Sequence, residues 1–308
     1  MKKIIIHGAT SFLGSNFIKR LLQRKDIDII IFVRNRSNVS FLVDSSVKIY
    51  FYNESILELL QDENLQSDIC EGGIFYDFAW YGVYNEFRNS IEQFLINIPM
   101  TINSINLANK LNVNHWVGFG SQAEYGVVDN IITEGTFCNP TTLYGKAKLI
   151  CSKIAQEICN TCGIEFSWLR LFSLYGPNDN HKWFVHYLID KLLHDEEIDM
   201  TLGEQKLDYL YIEDAVDALE KIIDIKSGLG IANFASGISI TLKDFVLMAQ
   251  KIFSSKSKIN FGKIPYRNDQ VMNMRTDVSK LTSTLDWNPR CSYEYGITKI
   301  IESYIEIK

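Results

Sequence analysis

The first 175 residues alternate short apolar runs with longer stretches in which apolar residues recur every three or four positions. The runs at 3–7 (KIIIH), 28–33 (DIIIFV), 47–51 (VKIYF), 73–78 (GIFYDF), 115–120 (HWVGFG) and 165–172 (EFSWLRLF) predict strands. Continuous β-branched runs are the mark of strands buried on both faces. The stretches at 12–25, 54–62, 86–112 and 141–162 predict helices. In the last of these, Leu143, Ala147, Ile150, Ile154 and Ile158 predict the buried side, and Gly163 is a stop signal. Strands alternating with helices imply right-handed βαβ units and a parallel, doubly wound sheet.

After Pro177 the pattern loosens. A helix at about 182–194, a short strand near 208–212, a helix at 213–226 and a tail from 240 to 308 are predicted. These are expected to build a smaller C-terminal lobe over the carboxyl edge of the sheet, where ligands bind in such folds. The expected class is α/β, a Rossmann-like doubly wound parallel sheet with a smaller lobe. The division expected is 1–175 plus about 207–235 for the sheet domain, and about 176–206 with 236–308 for the lobe.

Composition narrows the function. The 308 residues are 46% hydrophobic and 22% charged, ordinary for a globular protein with a full core. A net charge of −6 without a basic block argues against a nucleic-acid partner. The opening Met-Lys-Lys and isoleucines imitate a signal peptide, but the apolar run is too short for one. No stretch reaches the roughly 18 apolar residues of a membrane span, so no membrane partner is expected. The six scattered cysteines are read as reduced thiols in a cytoplasmic protein. Cys159 and Cys162 form a C-x-x-C with no second pair or histidine nearby, so no metal site is expected.

The segment GATSFLG, residues 8–14, follows the first predicted strand and precedes a predicted helix. Gly8 suits a tight turn, and Gly14 lets the helix pack closely on the strand. The backbone amides from Thr10 through Ser11, Phe12 and Leu13 stand at a helix N-terminus, where the dipole favours an anion. Ser11 suits the N-cap position. This makes the turn a candidate pyrophosphate site of a dinucleotide. The second strand ends Val33-Arg34-Asn35-Arg36, where an NAD enzyme commonly has an acidic residue for the ribose hydroxyls. Arginine suits the additional 2′-phosphate of NADP, so the cofactor expected is NADP(H), with Arg34 as its contact.

Tyr144 and Lys148 lie four apart on a predicted helix and so share a face. An ammonium beside a phenol stabilises the phenolate and is expected to lower the tyrosine from its usual value near 10. Such a tyrosine can serve as an acid or base for a sugar hydroxyl or ketone. Ser121, in GFGSQAEYG (118–126), follows a strand that should end at the same sheet edge, placing its hydroxyl to hold the reacting oxygen against Tyr144.

With these residues in order, the chain resembles an extended short-chain dehydrogenase/reductase of the nucleotide-sugar epimerase, dehydratase and reductase superfamily. The resemblance runs from Lys2 to about Pro289. It takes in the turn at 8–14, Asp77-Phe78-Ala79-Trp80, Asn97, Ser121 and the Tyr144/Lys148 pair. LRLFSLYGPND (169–179), LDYLYIEDAVDAL (207–219) and TDVSKLTSTLDWNP (276–289) complete it. The resemblance implies that Tyr144 is the acid/base, that Lys148 holds the nicotinamide ribose and tunes Tyr144, and that Ser121 orients the substrate oxygen. It implies that Ala79, Asn97 and Phe172 line the cofactor. Asn53 stands where an aspartate commonly touches adenine.

The resemblance also weighs the reactions. Sugar dehydratases of this family have Thr-Asp-Glu at the serine position; here the triplet is Ser121-Gln122-Ala123, with Glu124 one step beyond. Dehydration therefore has no visible acid/base pair. Arg34 and the missing ribose acid argue for a reductase that takes hydride from NADPH. GSQAEYG and WYGVYNEFRN (80–89) resemble reductases of nucleotide-linked 4-keto-deoxysugars, enzymes of deoxysugar and surface-polysaccharide synthesis. The expected substrate is a nucleotide-diphosphate sugar, with Ser121 and Gln122 at the ketone, Arg267 at the diphosphate, and Ser173 and Asn178 near the substrate edge. Leu207 stands where the family often has another diphosphate arginine. A 4-epimerase with tightly held NAD and a non-catalytic NADP-binding regulator are the alternatives. The family often forms homodimers through the helix at 86–112 and the tyrosine helix. Phe94, Ile98, Ile102 and Ile105 are compatible with that, and equally with packing on the sheet.

Overall fold

The computed structural model describes residues 1–35, 37–42, 46–67, 72–180, 182–266 and 270–306. In chain order the strands are β1 (Lys2–His7), β2 (Ile27–Arg34), β3 (Lys48–Tyr52), β4 (Ile74–Asp77), β5 (His115–Ser121) and β6 (Glu165–Leu171). They continue with β7 (Ser173–Tyr175), β8 (Ile198–Asp199), β9 (Lys206–Tyr211), β10 (Gly230–Phe234), β11 (Ser239–Thr241) and β12 (Ile259–Asn260). The first five α-helices are α1 (Phe12–Leu21), α2 (Glu63–Ser67), α3 (Glu92–Leu95), α4 (Asn97–Lys110) and α5 (Leu143–Cys162). The rest are α6 (Phe184–Leu193), α7 (Ile212–Ile222), α8 (Leu242–Phe253), α9 (Ser279–Leu285) and α10 (Tyr293–Glu306).

A seven-stranded sheet has the order β3-β2-β1-β4-β5-β6-β10. β1 to β6 pair in parallel, with Ile4, Ile5 and Ile6 of β1 in register with Ile29, Ile30 and Ile31 of β2. Those six side chains are almost wholly removed from water. Strand order reverses between β1 and β4, and ligands of open α/β sheets bind at the carboxyl ends of the strands flanking such a switch point.

The chain forms two compact units. The first contains residues 1–126, 137–171 and 218–232; the second contains 127–136, 172–217 and 233–308. The second unit holds a mixed three-stranded sheet, β11-β9-β7, in which β7 and β9 run parallel and β9 and β11 antiparallel. Tyr175, Tyr209, Phe245 and Tyr293 pack ring against ring in its core. Buried Asp208 ties β9 to the 236–237 turn, accepting hydrogen bonds from Ser236 N (2.8 Å), Ser236 Oγ (2.7 Å) and Gly237 N (2.9 Å).

Three helix expectations are corrected. The stretch 54–62 forms a 3₁₀ helix, Ile56–Gln61, because Ser55 and Glu58 cap its start and Asp62 turns to extended backbone at its end. The single helix expected at 86–112 is instead a 3₁₀ turn at Asn85–Phe87 followed by α3 and α4. Pro99, in the first turn of α4, has no N–H for a bond back to Leu95, so the helix restarts there. On α5 the buried residues include Ala147, Cys151, Ala155 and Cys159, while Ile150 is exposed. The reason is volume. Trp116, Phe166 and Trp168 fill the space beneath α5, so small side chains face them. Ile105 and Ile98, weighed as dimer positions, pack on this same core. Burial pushes the Cys159 thiol well above its ordinary value.

Candidate active site

The turn after β1 is built for close approach. Gly8 has φ +81°, and a Cβ there would lie 2.6 Å from the backbone nitrogen of Ala79, which follows β4. The two chain segments that leave the switch point therefore touch. A Cβ on Gly14 would meet the Gly8 carbonyl oxygen at 2.6 Å, so the first turn of α1 is drawn onto the same loop. Ser11 is the N-cap of α1, its hydroxyl accepting from Gly14 N at 3.1 Å. Phe12 and Leu13 open the helix, and the first amides of a helix have no acceptor within it.

A cavity of about 640 Å³ opens at this point. Gly8, Thr10, Ser11, Arg34 and Ala79 line it together with Trp80, Tyr81 and Gly82. Asn53 lines an adjoining cavity with Thr10, Arg34 and Asn35. Its side-chain oxygen accepts from Asn35 Nδ2 at 2.5 Å. Arg34 ends β2, is exposed, and borders both cavities. A glycine turn on a helix N-terminus, a cavity at the switch point and an arginine at the end of β2 fit a dinucleotide. Arg36 lies outside the described residues.

The reactive residues stand on β5 and α5. Ser121 is the last residue of β5; its hydroxyl accepts from Ala123 N at 3.2 Å and acts on the Tyr144 phenol to hold its pKa down. Tyr144 sits in the first turn of α5, capped by Thr142 (Gly145 N to Thr142 Oγ1, 3.1 Å). Its backbone N–H donates to the Arg88 carbonyl at 2.8 Å, and the Arg88 guanidinium lies 4.7 Å from its ring centre. Lys148, one turn on, is buried, and its ammonium donates to the Phe119 carbonyl at 2.5 Å.

The expected depression of Tyr144 by Lys148 is corrected. The lysine nitrogen stays 5.9 Å from the Tyr144 ring centre and lies over the face of Trp80 instead, 3.4 Å from its centre. Loss of water raises the Tyr144 phenol; the Ser121 hydrogen bond and the Arg88 charge oppose that without overcoming it. Lys148 is pushed down to about 8 by the same desolvation.

Gln122 opens a short 3₁₀ turn, Gln122–Glu124. Glu124 points the other way, into the core. It accepts from Ser121 N (3.0 Å), Trp168 Nε1 (2.9 Å) and Arg170 Nε (2.8 Å), which leaves no carboxylate on 122–124 turned toward Tyr144. Asn97 is wholly buried and holds the backbone of Tyr81, accepting from its N–H at 2.8 Å and donating to its carbonyl at 3.1 Å. It shapes the loop after β4 and is not among the residues that line the cavity. Phe172, Ser173 and Asn178 belong to the second unit. Phe172 N donates to the Phe234 carbonyl, Ser173 starts β7, and Asn178 takes a left-handed backbone with φ 64°. Arg267 lies outside the described residues.

Trp80 and Arg88 lie in segments that carry the resemblance but have no role assigned by it, and Gln93 lies outside those segments. Trp80 Nε1 donates to Gln93 Oε1 at 3.1 Å, and Gln93 Nε2 donates to the Gly82 and Phe87 carbonyls at 2.6 and 3.1 Å. The available signal was a glutamine four residues before Asn97 in an apolar stretch, which marks a polar group with work for its hydrogen bonds. Among the described residues no cluster of His, Cys, Asp or Glu could hold a metal, and no helix is long and apolar enough to cross a membrane.

The model of the NAD dependent epimerase/dehydratase family matches residues 4–231. The chain belongs to the NAD-dependent epimerase/dehydratase family, enzymes that modify nucleotide sugars with a nicotinamide dinucleotide. Among curated proteins it is 26% identical to a CDP-abequose synthase of Salmonella muenchen, over 97% of both chains. Its fold is similar to the UDP-glucuronic acid 4-epimerase of Bacillus cereus, solved with UDP-glucuronic acid and NAD (TM-score 0.84, 19% identity, 99% of this chain and 100% of that one). It is also similar to the UDP-glucose 4-epimerase of Thermotoga maritima, solved with UDP-glucose (TM-score 0.83, 20% identity, 99% of both chains).

Proposed function

We propose that this protein reduces the C4 ketone of a nucleotide-linked 4-keto-6-deoxysugar with NADPH. The observation that carries the proposal is the pairing of a water-poor Tyr144 phenol with Ser121, beside a turn whose one carboxylate, Glu124, is committed to the core. Reduction needs a protonated donor at the ketone oxygen, and desolvation favours the neutral phenol. A dehydratase needs an acid/base pair that this turn does not supply. The similarity to a CDP-abequose synthase supports the same reading.

The bound cofactor supplies hydride. Tyr144 delivers the proton to the O4 oxygen as negative charge develops there. Ser121 donates to the same oxygen and fixes it, with Gln122 beside it. Lys148 would hold the nicotinamide ribose with its buried ammonium, Ala79 would line the cofactor, and Gly8 through Gly14 would cradle its pyrophosphate. Arg34, which borders the cavity, would supply the forked hydrogen bonds to the 2′-phosphate. The resemblance would add Ser173, Asn178 and Arg267 on the substrate side and Phe172 for the cofactor.

The test is steady-state oxidation of NADPH with CDP- and dTDP-linked 4-keto-6-deoxysugars, with Tyr144→Phe as the control. Ketone-dependent NADPH oxidation in the wild type that disappears in Tyr144→Phe is the expected result. Wild-type protein that leaves these ketones and NADPH unchanged overturns it.

A further inference from the structure

Trp80 belongs to both parts of the site. It lines the cavity at the switch point, and its ring meets Tyr144 edge-on, at 6.0 Å between centres. Its face carries the Lys148 ammonium at 3.4 Å. Gln93 fixes the indole through Nε1, while its own amide is braced by Gly82, Phe87 and Asn97. Gly82 must be glycine for this arrangement: φ is +75°, and a Cβ would lie 2.7 Å from Gln93 Nε2. Chain geometry and hydrogen bonding thus converge on one orientation of one ring.

We propose that Trp80 is a positioning residue, whose indole face seats the Lys148 ammonium and keeps it charged, with Gln93 locking the indole in place. The proposal rests on the role given to Lys148 in the reduction above. A buried ammonium must replace lost water with other partners. The Phe119 carbonyl takes one of its three protons. The electron-rich face of tryptophan, the strongest of the aromatic cation acceptors, meets the rest of the charge in a desolvated site. The other groups facing Lys148 are the Tyr144 and Trp168 rings, each 5.9 Å from its nitrogen, Cys151 on its own helix, Glu124 after β5 and Asp77 at the end of β4. Glu124 is already paired to Arg170, and Asp77 to His7 at 2.8 Å. Burial has brought Lys148 to about 8, so further loss of stabilisation neutralises it near physiological pH. Without the ring, its midpoint is expected to fall by about one unit, a tenfold change in the ratio of charged to neutral lysine.

The experiment reads that midpoint on cofactor-free protein by NMR of lysine side chains labelled with ¹³C and ¹⁵N. The Lys148 resonance is assigned by its loss in Lys148→Met. The Trp80→Leu midpoint is expected about one unit below that of the wild type, with Trp80→Phe, whose ring is a weaker cation acceptor, between the two. Wild-type protein grown with 5-fluorotryptophan, whose ring face is less electron-rich, is expected to fall between wild type and the leucine variant. The same label in Trp168→Phe, which leaves Trp80 as the tryptophan over Lys148, gives the answer even where the leucine variant does not fold. A midpoint unmoved by Leu or by fluorination overturns the proposal, as does a Phe variant that falls as far as Leu. No substrate enters this measurement, so failure of the reductase reading and failure of the Trp80 assignment appear in separate experiments.

Discussion

Glu124 Oε2 accepts a hydrogen bond from Arg170 Nε at 2.8 Å, and neither side chain is more than 2% exposed. The pair anchors the Ser121 turn from below, since Glu124 Oε1 also accepts from Ser121 N. Removing one partner of a buried ion pair leaves an uncompensated charge and costs roughly 3–5 kcal/mol. Glu124→Gln is therefore expected to lower unfolding stability by about 3 kcal/mol in urea titrations. A loss under about 1 kcal/mol, the scale of an exposed pair, would show that the pair does not hold the turn.

Arg34 tests cofactor choice. Arg34→Ala is expected to weaken NADPH binding by about 10- to 100-fold, the worth of a charge-assisted hydrogen bond of roughly 1.5–3 kcal/mol. NADH binding should stay within about threefold, because NADH lacks the phosphate. Fluorescence titration of both cofactors checks this, and equal losses would place Arg34 elsewhere than at the 2′-phosphate.

Tyr144 and Ser121 test the chemistry. Tyr144→Phe is expected to cut turnover by about 10²–10⁴-fold while NADPH binding changes little, since a general acid acts in the chemical step. Ser121→Ala should act in the same direction, by about 10²-fold, through the lost hydrogen bond to the developing oxyanion. Matched losses in NADPH affinity for both variants would mean that the pair serves binding instead.

His115 gives a test through pH. Its Nε2 is 2.8 Å from Ser167 Oγ, which also accepts from Leu229 N at 2.9 Å, and the site is buried. Burial lowers His115 to about 4. A depressed folded value means that the unfolded chain binds the extra proton first. The contribution is complete above about 6.5 and is lost as pH falls from there to about 4, by roughly 2–3 kcal/mol. Urea unfolding of wild type and His115→Gln at pH 7 and pH 4.5 checks this. The variant should show a shallower fall, and parallel curves would remove His115 as a cause.

The strands β1, β2, β4, β5 and β6 were legible because burial on both faces leaves apolar runs, and the edge strand β3 by its β-branched and aromatic residues although Lys48 and Phe51 are exposed. The face of α5 was not, because hydrophobicity favours Ile150 while the volume of Trp116 and Trp168 demands Cys151 and Ala155. Ser121, Tyr144 and Lys148 could be found by their order along the chain, and Ser121 is one of the groups that hold the Tyr144 phenol down. The direction of the Lys148 side chain could not be found that way. Four-residue spacing tells which helix face two residues share, but not that a tryptophan 68 positions earlier offers the ammonium a ring. Gln93 and Arg88 act through contacts that spacing does not encode.

Hydride fate tests the central claim most directly. The protein is incubated with NADPH deuterated at the transferred position and with CDP- and dTDP-linked 4-keto-6-deoxysugars, and the products are read by NMR. The account predicts one deuterium at sugar C4 for each NADPH oxidised, with NADP released. Protein that carries tightly bound NAD and interconverts the 4-epimers of a nucleotide hexose, leaving the deuterated NADPH untouched, would contradict it.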